Sequence, residues 1–160
     1  MADSNEVAKL IELTRDIKIS MFTTIDEEGH FVSRPMAQQL VEPDGDIWLF
    51  AERDSRVVEQ LTANSHVGMT LSSSDTWISI DGSAEMVEDQ AKKDELWNSW
   101  VEAWLPDGQT DPNVVLIKVD PHSAEYWDTP GGRVASLLSF VKAKVTGEPY
   151  DGAEQARVEL

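Results

Sequence analysis

The chain has 160 residues, enough for one domain with a conventional core, and its 41% hydrophobic content and six tryptophans are typical of a folded protein. It contains no cysteine, which excludes disulfides, thiolate metal ligands and cysteine nucleophiles. A formal net charge of −17 argues against nucleic acid or an anionic membrane as the main partner, because both would be repelled. We expect a cytoplasmic protein, since the polar start lacks a secretory signal and no apolar run approaches the ~20 residues that cross a bilayer.

The first half of the chain predicts a helix followed by an antiparallel meander. Apolar residues recur at helical spacing over residues 7–14, and the period changes to two over residues 17–25. Acidic turns that end in glycine, at residues 26–29 and 42–45, separate three predicted strands. The third strand leads into a helix predicted over residues 55–64.

The middle of the chain predicts two more strands and one long helix. Alternation at residues 67–71 and a longer run at 77–87 predict strands, with Gly82 as a bulge or bend. Residues 91–104 predict a single helix whose tryptophan-rich stripe faces the core or a second subunit.

The last part of the chain completes the predicted fold. Residues 114–119 and 124–127 predict a final strand pair or one bent strand, and residues 134–145 predict a closing amphipathic helix. The polar residues 147–160 lack periodicity and predict a flexible tail. We therefore expect a mainly β domain over residues 1–146, an antiparallel six-stranded barrel with flanking α-helices.

One predicted corner gathers cationic side chains in this acidic chain. Arg53 and Arg56 flank Ser55 at the start of the second helix, and Arg34 lies one hairpin away. The first N–H groups of a helix lack intrahelical partners, and guanidinium groups bind phosphate oxygens with paired hydrogen bonds. The corner predicts a phosphate site, with a flavin phosphate as the leading candidate. The alternative is an ordinary helix cap flanked by solvated arginines.

Several segments resemble the FMN-binding split barrels of the pyridoxamine 5'-phosphate oxidase-like superfamily. In chain order they are Ser33-Arg34-Pro35-Met36, Trp48-Leu49-Phe50, Asp54-Ser55-Arg56-Val57 and Ala124-Glu125-Tyr126-Trp127-Asp128. Trp104-Leu105-Pro106-Asp107-Gly108, followed by Asp111-Pro112, resembles a loop signature of the general stress protein 26 branch. The resemblance extends over roughly residues 7–139.

The resemblance implies a homodimer that holds FMN, or alternatively FAD, in a groove at the subunit interface. It implies that Arg34, Ser55 and Arg56 hold the flavin phosphate. The residues that it places around the rest of the cofactor are Met36, Ala37, Phe50, Ala51 and Trp77, with Trp127 and Arg133 coming from the partner subunit.

Three positions depart from the family pattern. Ala51 stands where the family often has a hydroxyl residue and Val57 where it usually has a lysine, so two phosphate contacts of about 1.5–3 kcal/mol each are lost. We therefore expect weaker flavin binding, or compensation by Arg53. True pyridoxamine phosphate oxidases hold their substrate with an Arg-x-His pair, which Arg133-Val134-Ala135 replaces here, so vitamin B6 oxidation is not expected.

The chain is therefore predicted to be an FMN-dependent oxidoreductase that acts between a nicotinamide nucleotide and an unidentified small acceptor. No side chain stands out as a catalytic acid or base, and the scattered histidines predict no metal site. Two alternatives share the fold: a non-catalytic protein that stores or senses flavin, and a deazaflavin (F420) reductase. The polyanionic tail of F420 favours a basic groove, which disfavours it in a chain of charge −17. A protein-interaction module without a cofactor is the remaining alternative.

Overall fold

Six antiparallel strands close into a barrel in this computed structural model, which describes residues 4–106, 108–129 and 154–160. The strands are β1 (Ile19–Ile25), β2 (Phe31–Val41), β3 (Ile47–Glu52), β4 (His66–Ser72), β5 (Thr76–Val87) and β6 (Val114–Asp128). Their order is β3-β2-β1-β4-β5-β6, and pairing between β3 and β6 closes the barrel. A further strand, β7 (Glu154–Glu159), pairs with β6. The predicted six-stranded barrel is confirmed.

Helices flank the barrel where the sequence placed apolar stripes. They are α1 (Ser4–Asp16), α2 (Arg56–Ala63), α3 (Gln90–Leu96) and α4 (Ser99–Trp104). α1 buries Leu10 and Ile11 in the main core, and α2 buries Val58 and Leu61 there. The remaining core comes from the inward faces of the strands, such as the fully buried Phe22 on β1. The barrel therefore has its helices on the outside and a continuous apolar interior.

The barrel is split because β2 pairs with β3 over only part of its length. β2 pairs with β1 through residues 31–37, but its pairing with β3 starts at Gln38. Gln38 donates its backbone N–H to the Lys18 carbonyl on the β1 side, at 3.0 Å. The alternation of an antiparallel ladder then directs the backbone groups of Ser33, Pro35 and Ala37 to the open edge. Pro35 is tolerated there because an open edge needs no N–H donor.

The long predicted helix is two helices. Asn98 interrupts it, because the Asn98 side chain accepts hydrogen bonds from the backbone N–H groups of Trp100 and Val101 and so starts α4 as a new helix. The prediction of one helix over residues 91–104 is therefore wrong.

The interpretation of residues 147–160 as a flexible tail is wrong for Glu154–Glu159, which forms β7 and fully buries Val158. Residues 114–119 and 124–127, predicted as a strand pair or one bent strand, belong to one continuous strand, β6. The helix predicted over residues 134–145 lies outside the described residues.

Gly82 is the predicted irregularity in β5, and the register with β6 shifts between Asp81 and Gly82. A Cβ atom at Gly82 would lie 2.5 Å from the Asp120 carbonyl oxygen and 3.0 Å from the Pro121 Cα. Both neighbours are backbone atoms of a paired strand, which cannot yield without a shift of the strand. The close approach of β5 and β6 at this point therefore requires glycine.

We expect Gly82→Ala to lower the free energy of unfolding by roughly 1–3 kcal/mol, because the added methyl group overpacks two strands. The measurement is thermal and denaturant unfolding followed by circular dichroism. Gly68→Ala is the matched control, since its Cβ would meet no atom closer than 3.8 Å. Equal stability losses in the two variants would contradict the assigned role of Gly82.

Candidate functional site

The gap between β2 and β3 opens into a groove of about 410 Å³. β2 and β3, the start of α2 and the exposed side of α4 form its walls. Six residues that the sequence predicted to bind the cofactor line this groove: Arg34, Met36, Ala37, Phe50, Ala51 and Ser55. The volume is in the range of ordinary small-molecule sites.

Arg34 is held in the groove by neutral oxygen atoms. Its Nη1 donates to Thr24 Oγ1 at 2.7 Å, and its Nη2 donates to Gln60 Oε1 at 2.8 Å. Thr24 Oγ1 donates in turn to the same Gln60 Oε1 at 2.6 Å. Thr24 and Gln60 are both buried, so they hold the guanidinium from the barrel side of the groove. Sequence reasoning missed both residues, because nothing in the local pattern of β1 or α2 links them to Arg34.

The positive charge of Arg34 is not compensated by a carboxylate within ion-pair distance among the described residues. Other cations of the same chain do have carboxylate partners, for example Lys118 with Asp46 at 2.7 Å and Lys92 with Glu42 at 2.7 Å. Burial lowers the pKa of the Arg34 guanidinium, and the positive charge of Arg56 lowers it further. A half-buried cation without a carboxylate partner favours an anionic ligand.

The start of α2 is available to a ligand because no side chain caps it. Ser55 occupies the N-cap position, but its Oγ donates to the Glu52 carbonyl at 2.5 Å instead of accepting from the helix. The first N–H groups of α2 therefore lack a side-chain partner. The Ser55 hydroxyl can donate to a ligand only by leaving the Glu52 carbonyl.

The other two arginines of the predicted corner point elsewhere. Arg53 donates to the Pro112 carbonyl at 3.1 Å and pairs with Glu88. Arg56 is exposed and lines a neighbouring acidic depression, which it shares with Asp26 and Glu59. Arg53 does not line the groove, so nothing in the structure supports its compensating for lost phosphate contacts, and roles for Arg53 and Arg56 stay predictions.

Trp77 and Trp127 lie outside the groove of their own chain. They face each other in register across β5 and β6, on the outer surface of the barrel. They can contact a ligand in the groove only from a second copy of the chain. Arg133 lies outside the described residues.

The three tryptophans of the predicted apolar stripe have different surroundings before and after the helix break at Asn98. Trp97 packs edge-on against Phe50, with ring centroids 5.4 Å apart. Trp100 and Trp104 on α4 instead line the groove and are exposed. Core packing is therefore wrong for Trp100 and Trp104, whereas packing of these two side chains against a second subunit stays a prediction.

A cluster of three carboxylates lies near the turn between β2 and β3. Glu42, Asp44 and Asp46 are close enough to share a metal ion, but Lys92 and Lys118 neutralise two of the three carboxylates.

Across residues 4–106, 108–129 and 154–160, no helix has the length and apolar character needed to span a bilayer.

Comparison with known proteins agrees with this architecture. The profile of the pyridoxamine 5'-phosphate oxidase like family matches residues 5–151. Protein bli-3 of Neurospora crassa is 28% identical over 144 residues, which cover 82% of this chain and 69% of that protein. A crystal structure from Jannaschia sp. CCS1, provisionally named general stress protein 26, is 27% identical with a TM-score of 0.84 and covers 99% of this chain and 100% of its own.

A second crystal structure is that of the general stress FMN/FAD binding protein of Xanthomonas citri. It is 34% identical to this chain, with a TM-score of 0.65, and the match covers 78% of this chain and 90% of that one. The family profile, the split barrel and these relatives agree with one another. This chain therefore belongs to the pyridoxamine 5'-phosphate oxidase-like family, in its general stress protein 26 branch.

Proposed function

We propose that this protein binds FMN in the groove at the split of the barrel and works as a homodimer. We further propose that it transfers electrons between a reduced nicotinamide nucleotide and a small acceptor. The observation that carries the proposal is the half-buried Arg34 guanidinium, which rests on neutral oxygens and lacks a carboxylate partner among the described residues. In a chain of net charge −17, such a cation is suited to attract a phosphate group.

The chemistry of the groove fits a flavin mononucleotide. Arg34 and the uncapped start of α2 are donors suited to a phosphate group. The open edge of β2 offers the N–H group of Ala37 and the carbonyl of Pro35, which match the donors and acceptors on the edge of a flavin ring. Met36 and Phe50 supply apolar wall on either side.

The fit has one weakness, which concerns the phosphate end. Ala51 and Val57 line the groove where the family often has a hydroxyl group and a lysine, so Arg34 is the one cation among the described lining residues. Phosphate affinity then depends mainly on a single guanidinium. The same shortage of cations disfavours F420, whose tail carries more negative charge.

The residues of this chain would bind and orient the cofactor. Bound FMN supplies hydride and electron transfer between donor and acceptor. Arg34 would hold the phosphate, and Met36 and Phe50 would exclude water from the ring. The relative from Xanthomonas citri is called an FMN/FAD binding protein, which supports a flavin and leaves FMN and FAD as alternatives.

A second candidate is a flavin-binding protein without turnover, which stores or senses the cofactor. The composition of the groove favours it, because the described lining residues include no histidine, lysine or tyrosine and a single carboxylate, that of Glu52. Proton transfer would then have to use solvent or a residue of a second subunit.

The outer face of the barrel supports the proposed homodimer. Ile19 and Met21 point outward from β1 and are 47% and 42% exposed, and Trp77 on β5 is 49% exposed. Small residues lie between them, since Met21 pairs with Thr70 and Thr70 with Ser79. A face on which small side chains lie between exposed apolar ones is suited to a second copy of the same chain. A dimer across this face would also bring Trp77 and Trp127 of each subunit toward the partner.

We expect Arg34→Ala to weaken FMN binding by about 10- to 100-fold, because a charge-assisted hydrogen bond to the phosphate is worth about 1.5–3 kcal/mol. Riboflavin has no phosphate, so its affinity is expected to change little. Isothermal titration calorimetry with both ligands measures the two effects.

Arg53→Ala is the matched control for this experiment. It removes a guanidinium from the same corner that is tied to Pro112 and Glu88, so FMN affinity is expected to stay at the wild-type value. Equal losses of FMN and riboflavin affinity in Arg34→Ala would contradict phosphate binding by Arg34.

We expect Met21→Glu to dissociate the proposed homodimer, because it places a carboxylate on the exposed apolar face where two strongly acidic subunits would meet. Sedimentation velocity gives the oligomeric state. Ala8→Glu, on the exposed side of α1, adds the same charge away from this face and should leave the dimer intact. A monomeric wild-type protein would contradict the proposed assembly.

Turnover separates the two candidate functions. If the protein is an oxidoreductase, the FMN-loaded protein should oxidise a reduced nicotinamide nucleotide faster than the same concentration of free FMN, because orientation lowers the barrier. Absorbance at the nicotinamide band follows the reaction. A rate no higher than that of free FMN would favour storage or sensing.

A further inference from the structure

α4 presents two indole rings to the groove. Trp100 and Trp104 are four residues apart, so they project from the same side of the helix. They are 59% and 74% exposed, although both line the cavity that contains Arg34. Val101, between them in sequence, is buried and also lines the cavity, so it anchors α4 against the rest of the chain. Two large aromatic side chains are thus kept out of the core and next to the groove.

α4 is fixed in this position by specific contacts. Asn98 accepts hydrogen bonds from the N–H groups of Trp100 and Val101, at 3.0 and 3.1 Å. Its Nδ2 donates to Gln39 Oε1 on β2 at 3.0 Å, which ties the start of α4 to the wall of the groove. The edge-on contact of Trp97 with Phe50 adds a second attachment immediately before the helix. The start of α4, the helix that carries the two indoles, is therefore held beside the groove.

The cationic end of the groove, at Arg34, and its aromatic end, at α4, are opposite each other. Arg34 and Gln39 both belong to β2, and the five steps between them correspond to about 16 Å of strand. Arg34 marks the end that attracts an anion, and Gln39, through Asn98, marks the end beneath α4. Both ends belong to one cavity, so a single ligand that joins an anion to a planar aromatic ring by a chain would satisfy both.

We propose that Trp100 and Trp104 form the ring-binding wall of this site and contact the aromatic ring system of the ligand whose phosphate lies at Arg34. The inference rests on the proposed function, in which that ligand is FMN. Stacking against an indole favours a flat, electron-poor ring, and such contacts add to the hydrophobic gain from covering the exposed indoles. The wall would make affinity depend on the ring as much as on the phosphate, which suits a groove with a single cation.

The test compares FMN with lumiflavin, which keeps the flavin ring and lacks the ribityl phosphate chain. We expect the double variant Trp100→Leu with Trp104→Leu to weaken both ligands by about tenfold, because the loss falls on the ring that they share. The double variant Trp100→Phe with Trp104→Phe should recover most of the affinity, since phenyl rings still stack. Arg34→Ala should weaken FMN alone.

Phe31→Leu is the control, because Phe31 is an exposed aromatic residue of β2 that lies outside the lining of the groove. Calorimetry gives the affinities, and sedimentation velocity is run on every variant. Wild-type affinity of the leucine double variant for both ligands would overturn the inference while leaving flavin binding intact. Affinity lost together with dissociation into monomers would assign the indoles to the subunit interface and overturn direct contact. A wild-type protein that binds neither ligand would overturn both this inference and the proposed function.

Discussion

The groove that forms the candidate site depends on the incomplete pairing of β2 with β3. β1 pairs with β2 through residues 31–37, whereas β3 begins to pair only at Gln38, so one edge of β2 is left open beside the start of α2. An open strand edge exposes backbone donors and acceptors that need partners. In this fold the edge forms the floor of a groove. The barrel, its flanking helices and the interrupted helix near Asn98 together determine what surrounds that edge.

The charges around the groove favour an anionic ligand at Arg34. Most of the chain is acidic, and several cations, such as Lys92 and Lys118, are matched to nearby carboxylates. Arg34 differs, because its hydrogen bonds go to the neutral side chains of Thr24 and Gln60 and to the carbonyl of Phe22. Neutral acceptors orient a guanidinium without cancelling its charge. The acidic surroundings would keep large anions away, while this recessed cation would remain attractive to a phosphate group at short range.

Much of the barrel could be predicted because its signals are local. The Pro43-Asp44-Gly45 turn is encoded within three residues, and Gly45 has a φ of +102°, which glycine tolerates best. The alternation of the strands and the bulge at Gly82 could be predicted because these signals are also local in the sequence. β7 was not, because its pairing partner on β6 is remote in sequence and its own residues are polar.

The candidate site was predictable only in part. Arg34 and Ser55 were predicted from the cationic corner as well as from the resemblance, and Met36, Ala37, Phe50 and Ala51 from the resemblance alone. All six line the groove. The direction of Arg53 was not predictable, since it is set by Pro112 and Glu88 in distant segments. The exposure of Trp100 and Trp104 depends on a helix break at Asn98, a residue that can also continue a helix. The direction of a side chain at a site thus depends on tertiary contacts, even where the fold can be predicted from the sequence.

The central claim is that a flavin occupies the split, with its phosphate on Arg34. The most direct measurement is a crystal structure of the protein grown with FMN. We expect the phosphate within hydrogen-bond distance of the Arg34 guanidinium and the ring along the open edge of β2. Flavin bound elsewhere, or a split that stays free of FMN at saturating concentration, would contradict this account.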